Sequence, residues 1–377
     1  MLFSFVATLT AVAAIFFAVL MTEPGQSLNL PREWVVAYYS NRHLVVSLIL
    51  LLLSALWWLN LRYGFCRKFW LVLASVGVLL CIVAANFLLA ALFPPYQYGA
   101  NYVSVTEADK KLSDEQVVYA VEINGEAKGY PREHLQIPHI AGATIGGNDV
   151  VMTFCPLSNL PMVFDQSYGR EQLDLGVLIQ TNNNLLMNDR ASGELIQQIT
   201  GRTEFSHENL RTYPNTMMSW KVFKRLYPNA EVFLYPFDRM LDRFLLAVFD
   251  EPIKRQFSED YGPIFPTLAM IDARLPHKEQ VWGISVGGEQ AAFTKSFLES
   301  NSVFGFELGG MPLLLRYDSG LDVVRLFERP TNLPAADIHK VDIQGSFARS
   351  ELRGVPMHNG VFWMVWAHWF PGSTVFN

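Results

Sequence analysis

Thiols and imidazoles supply nucleophiles, general bases and soft metal ligands. One such pair stands apart in this 377-residue chain: His139 and Cys155, 16 residues apart. Cys155 lies in Phe154-Cys-Pro-Leu-Ser158 and is the one thiol after residue 93. A thiolate beside an imidazolium makes a nucleophile with its base, and the same two groups are ligands for a soft, copper-like transition metal. Two ligands do not by themselves make a metal site. A structural cysteine with an unrelated histidine is the plainer alternative.

Supporting polar groups are Asp165 and the segment Asn182-Asn-Asn-Leu-Leu-Met-Asn-Asp189-Arg190. In the functional reading Asp189 and Arg190 face Cys155, with Asn182 at the other end of the strand. In the plainer one they form an Asx-rich turn with a surface ion pair. Gly283-Ile-Ser-Val-Gly287 has the spacing of a hydrolase nucleophile elbow, but Ser285 falls inside a strand leading to a Gly-Gly turn, so that chemistry is rejected. The chain has no phosphate-binding glycine loop, HExxH, EF-hand loop or CxxCH.

The elements that position these residues recur. Gly125-Glu126 aligns with Gly288-Glu289, and at the same offset of 163 Gly146-Gly147 falls on Gly309-Gly310. Val150–Phe154 falls on Leu313–Tyr317, and Val163-Phe-Asp165 on Leu326-Phe-Glu328. Period and punctuation predict strands at 117–123 and 280–286, short helices at 131–135 and 295–299, and strands at 150–155, 313–318, 161–165 and 323–328. Helices at 216–226 and 361–370 and a short strand close the copies, and His139 belongs on the strand that pairs with that of Cys155. The first copy carries about 20 extra residues before Trp220. Ser302 and Asp318 take the places of His139 and Cys155 in the second, so only the first retains the pair. The fold expected is α+β, mainly β: a pseudo-twofold tandem repeat with copies at 94–233 and 279–377. An irregular connector, 234–278, joins them; its apolar Phe244–Phe249 packs on the domain or on a membrane.

Residues 1–93 read differently. Met1–Thr22 holds no charge, Leu44–Leu59 ends in two tryptophans, and Phe69–Phe93 is nearly all apolar. Runs of about 20 apolar residues span a bilayer as helix, because every backbone polar group must then be satisfied internally. The first run lacks the basic start and small-residue cleavage site of a signal peptide and is expected to remain. Trp34, Tyr38 and Tyr39 suggest an interfacial patch or a short surface helix. Arg62, Arg67 and Lys68 outnumber Arg32 and Arg42, which places the second loop in the cytoplasm and everything after Phe93 outside. That portion holds 33 of the 35 Asp and Glu but 24 of the 29 Lys and Arg, against a nucleic-acid partner. With one cysteine it has no internal disulfide.

These residues resemble a domain-of-unknown-function family, number 3179. Its pattern runs Asn-Gly-Glu-Ala, Tyr-Pro, His, Gly-Gly, Thr-Tyr-Cys-Pro-Leu-Cys, Phe-Asp-Arg, Asn-Ser-x-Leu-Leu-Met-Tyr-Asp-Arg, then Trp and Pro. Here these are Asn124–Ala127, Tyr130-Pro131, His139, Gly146-Gly147, Thr153–Ser158, Phe164-Asp165-Gln166, Asn182–Arg190, Trp220 and Pro228. The resemblance covers about 117–377 and carries no activity. Ser158 replaces the family's second cysteine and Gln166 its arginine, which excludes a two-cysteine redox cycle within the domain. The expectation is a bacterial inner-membrane protein with a periplasmic domain, serving as an interaction or scaffold module for other envelope proteins. The alternatives are a soft-metal binder through His139 and Cys155, and an enzyme with Cys155 as nucleophile and His139 as base.

Overall fold

The computed structural model describes residues 1–168, 171–258, 260–264, 272–331, 333–347 and 350–377. The chain divides into a helical unit, chiefly Met1–Leu92, and a strand-rich unit that begins at Phe93.

Three helices of the first unit, Leu2–Leu20, Arg32–Tyr63 and Lys68–Leu92, are long and apolar enough to cross a membrane. Ala14, Ile49, Leu53, Leu56, Leu71 and Val78 pack between them. Trp57 donates to Ser75 (3.0 Å) and Asn86 to Tyr38 (2.9 Å), which ties helix to helix by polar bonds. Leu51, Leu80 and Phe87 point outward, more than half exposed. The second helix starts at Arg32, 12 residues before its apolar run, so Trp34, Tyr38 and Tyr39 belong to it rather than to a separate surface helix. Nothing between Pro31 and Gly64 breaks a helix, and Gly64 ends it in the left-handed conformation (φ 65°).

The strand-rich unit contains two groups of elements that run in the same order. In the first, Val117–Ile123 and Glu126–Pro131 form a hairpin, followed by the meander Ile140–Ile145, Asn148–Cys155, Leu160–Asp165. In the second, Gln280–Val286 and Glu289–Thr294 form the hairpin, followed by Val303–Leu308, Met311–Asp318, Val323–Glu328. Each hairpin gains one antiparallel strand (Thr216–Ser219; His358–Phe362) and one parallel strand (Glu231–Phe233; Thr374–Phe376). The two glycine pairs explain one another. Gly146 N–H donates to Glu126 (2.8 Å), and Gly309 N–H to Glu289 (3.0 Å). Both glycines have positive φ, and a Cβ on either would lie 2.2 Å from a carbonyl oxygen of the neighbouring hairpin.

Three expectations change. The helices expected at 216–226 and 361–370 begin later, at Trp220 and Trp363. Their first residues extend instead, because the hairpin edges offer them ladder bonds, and Ser219 then caps the first helix by accepting from Val222 N–H. The connector is not irregular: Met240–Phe257 is an 18-residue helix. Asp242 accepts from the backbone N–H of Arg239 (3.0 Å) and starts it. The extra residues of the first group form a four-stranded sheet, Leu175–Thr181, Asn184–Asp189, Leu195–Gln197 and Arg202–Thr203. Trp366 of the last helix packs over Gly283, where a Cβ would lie 2.3 Å from its ring.

Candidate functional site

Cys155 ends its strand because Pro156 follows, and the chain returns through Asn159 (φ 53°) into Leu160–Asp165. The thiol is fully buried and approaches the Asn183 carbonyl at 3.9 Å. Burial pushes its pKa up, partly offset by hydrogen bonds from Ser158, Leu157 and Leu185. His139 is 1% exposed and precedes the Ile140–Ile145 strand in the left-handed conformation (φ 57°). Its carbonyl accepts from Phe154 N–H (2.7 Å), so it lies opposite Phe154, one residue out of step with Cys155. Its ring stacks on Phe93 (4.9 Å), with Nδ1 3.4 Å from the Leu135 carbonyl. Burial pulls its pKa down to about 4. A thiolate–imidazolium pair needs the thiol lowered and the imidazole raised. Here each moves the opposite way, and both groups are neutral at pH 7.

The same backbone geometry recurs in the second group, where the Ser302 carbonyl accepts from Tyr317 N–H (2.8 Å). Asp318 there caps a turn through Gly320 and Leu321 N–H.

The supporting residues sit elsewhere. Asp165 pairs with Val150, at the far end of the hairpin from Cys155, which is about 17 Å along the strand. It holds Ser167 N–H and the Tyr213 hydroxyl, with Arg211 at 3.5 Å. Asn182 (φ 49°) makes the turn into Asn184–Asp189. Asp189, 1% exposed, accepts from Asp174, Ala191 and Ser192 N–H and from the Ser192 hydroxyl. Arg190 grips Asp174 at the surface. These last two are the capped turn and ion pair. Among the described residues, no group of three His, Cys, Asp or Glu is placed to hold a metal ion.

What surrounds Cys155 is an amide and hydroxyl network. Asn184 donates to Ser158 Oγ (3.2 Å) and Gln198 Oε1 (3.1 Å), and accepts from Gln197 Nε2 (2.8 Å) and Ile199 N–H (3.0 Å). Gln198 in turn donates to Thr153 Oγ1 and the Leu160 carbonyl, both at 3.0 Å. Ser158, Asn184, Gln197 and Gln198 are at most 1% exposed. The network reaches the second group: Asn159 donates to the Gly360 carbonyl (2.7 Å), Phe362 N–H to Ser158 (3.1 Å), and His358 Nε2 to Ile199 (2.7 Å). Uncharged groups bonded to one another in this way fix a packing arrangement and supply no charge that would ionise the thiol. Sequence reading passed over Gln197, Gln198 and His358. The signal was there in two adjacent glutamines within an apolar stretch, which have to find partners when buried.

A second feature was not anticipated. A cleft of about 720 Å³ opens between the two groups, with Arg211, Tyr213 and Glu122 from the first and Arg325, Glu351 and Arg353 from the second. Arg325 is largely buried. Its guanidinium bonds the Tyr227 hydroxyl and lies 3.7 Å from Glu122, while its buried Nε has no hydrogen-bond partner among the described residues. Tyr227 donates to Glu122 (2.7 Å), and burial pushes its pKa up to about 12. Arg211 and Arg353 are mostly exposed, each 3.5 Å from one carboxylate.

Native Cys155 is therefore expected to resist alkylation. With the intact chain in detergent at pH 7, iodoacetamide modification mapped by mass spectrometry should be at least ~100-fold slower than after unfolding. Rapid native modification would show a thiol that is open and ionised.

Residues 95–373 match the model of a family described as protein of unknown function, DUF3179. No curated protein and no solved structure matches the chain.

Proposed function

We propose that this chain, which belongs to the DUF3179 family, is a membrane-held interaction module that recognises a carboxylate- or phosphate-bearing partner in the cleft between its two groups of strands. The observation that carries the reading is Arg325. A buried guanidinium nitrogen without a partner is costly, and in the wall of a cleft it is offset when an anion arrives. The exposed Arg211 and Arg353 supply further donors from both sides. The cleft volume lies within the range of small-ligand and peptide-end sites.

The setting we infer is the bacterial inner membrane, with the strand-rich unit in the periplasm and other envelope proteins as partners. Support for that side comes from Arg62, Arg67 and Lys68 in the short loop between the second and third membrane helices. The acidic balance of the strand-rich unit speaks against nucleic acid. We further read 94–233 and 279–377 as copies of one unit joined by 234–278. The support is their common pairing order and the matching Glu126–Gly146 and Glu289–Gly309 bonds.

The test is complementation of a strain lacking the gene. Cys155→Ala should restore function, whereas Arg325→Gln and the charge reversal Arg353→Glu should not, with all three present at wild-type levels. Arg353 is 82% exposed, so its loss tests recognition rather than folding. Failure of Cys155→Ala, with both arginine variants active, would overturn the proposal in favour of thiol chemistry.

A further inference from the structure

The Met240–Phe257 helix faces the strand-rich unit with one side only. Asp242, Leu245 and Gln256 are buried on it. Asp242 holds the Tyr235 hydroxyl (2.8 Å), and Gln256 donates to the Leu157 carbonyl (2.7 Å), so the helix is clamped near both ends. The opposite side of a surface helix is ordinarily polar. Here its first half carries Met240, Leu241, Phe244 and Val248, between 39% and 84% exposed. Spaced at i, i+1, i+4 and i+8, they form one stripe. In the second half the exposed surface is charged, with Asp250 and Glu251 paired to Lys254 and Arg255. The exposed Arg243 sits beside the apolar stripe.

We propose that this stripe lies in the surface of the lipid bilayer that the chain itself spans. Two observations select lipid over a protein occupant. The third membrane helix ends at Leu92 and the first strand of the next unit starts at Tyr102. Nine residues reach at most about 30 Å, so the chain holds the start of the unit within that distance of the bilayer. The composition of the stripe also fits an interface: apolar residues of mixed size enter the acyl boundary by about 5–10 Å, and a flanking arginine reaches the headgroups. An apolar face held this close to lipid by a covalent tether needs only modest intrinsic affinity. The inference is independent of the cleft and of its ligand.

The test uses the intact chain in lipid nanodiscs, with Cys66→Ala and Cys81→Ala as background and Cys155 sealed in the core. A nitroxide is placed by Phe244→Cys or, separately, Lys254→Cys, and collision with oxygen is compared with collision with a water-soluble nickel chelate. At position 244 the oxygen-to-nickel ratio should exceed that at 254 severalfold, as oxygen concentrates in lipid. Equal ratios at the two positions would overturn the proposal by placing the stripe in water. Low access to both reagents at 244 would overturn it too, since the stripe would then be covered by protein. Val248→Cys repeats the measurement one stripe position along, in case a label at 244 perturbs the helix.

Discussion

Replacing Asn184 with leucine should lower the unfolding free energy of the intact chain in detergent by about 3–6 kcal/mol, since each buried polar group left unpaired costs ~1–3 kcal/mol. Four hydrogen bonds meet at this one amide, which donates to Ser158 and Gln198 and accepts from Gln197 and Ile199. Leucine has nearly the same volume, so the loss is polar rather than a cavity. Ile199 N–H loses its acceptor, and Gln197 Nε2 loses the Asn184 oxygen it donates to at 2.8 Å. Arg190→Ala, in the same sequence motif, provides the contrast. Its partner Asp174 is at the surface, so the change should cost no more than ~1 kcal/mol. Thermal and denaturant midpoints of the two variants measure the difference. An Asn184→Leu chain as stable as Arg190→Ala would show that the network holds nothing together.

The second large effect is on pH. In the folded chain burial holds His139 near pKa 4, against 6.5 for the free side chain. Between those values the unfolded chain takes up a proton that the folded one refuses. Stability is therefore fully present above pH 6.5 and falls as pH drops towards 4, by up to ~1.4 kcal/mol per pH unit for each such histidine. His134 is lowered to about 4 as well, and His358 is lowered in the same direction, both chiefly by burial. Asp109 and Asp272, held below the ordinary carboxylate range by hydrogen bonds to Lys224 and Arg274 respectively, lose their contribution only at lower pH. Denaturant unfolding at intervals from pH 7.5 to 4.5 should show the decline. His139→Asn, which tolerates the positive φ, should remove about one proton from its slope. A curve unchanged by that substitution would mean that His139 titrates freely.

Much of the local structure was legible because short-range rules determine it. The hairpin strand Val117–Ile123 and its counterpart Gln280–Val286 have the bounds that alternation and the Asn-Gly or Gly-Gly turns implied. The helix of the connector was missed because Pro252 and a face that is apolar on the outside obscure its period. Thr216–Ser219 and the pair Val361-Phe362 were taken for helix because their preference is settled by a hairpin edge far away in sequence.

The motif around Cys155 divides along the same line. From the sequence alone came the family resemblance, the strand that ends at Cys155, and three apolar runs that only helices can carry across a bilayer. Those follow from residue types at neighbouring positions and from lipid as a solvent. Tertiary structure decided that the thiol and the imidazole are both buried and neutral, that Asp189 and Arg190 turn away, and that Asn184 joins Gln198. Protonation and hydrogen-bond partnership depend on how much water each group keeps and on which chain segments pack against it. A linear pattern does not contain either quantity, and the same residues in a looser packing would be a different site.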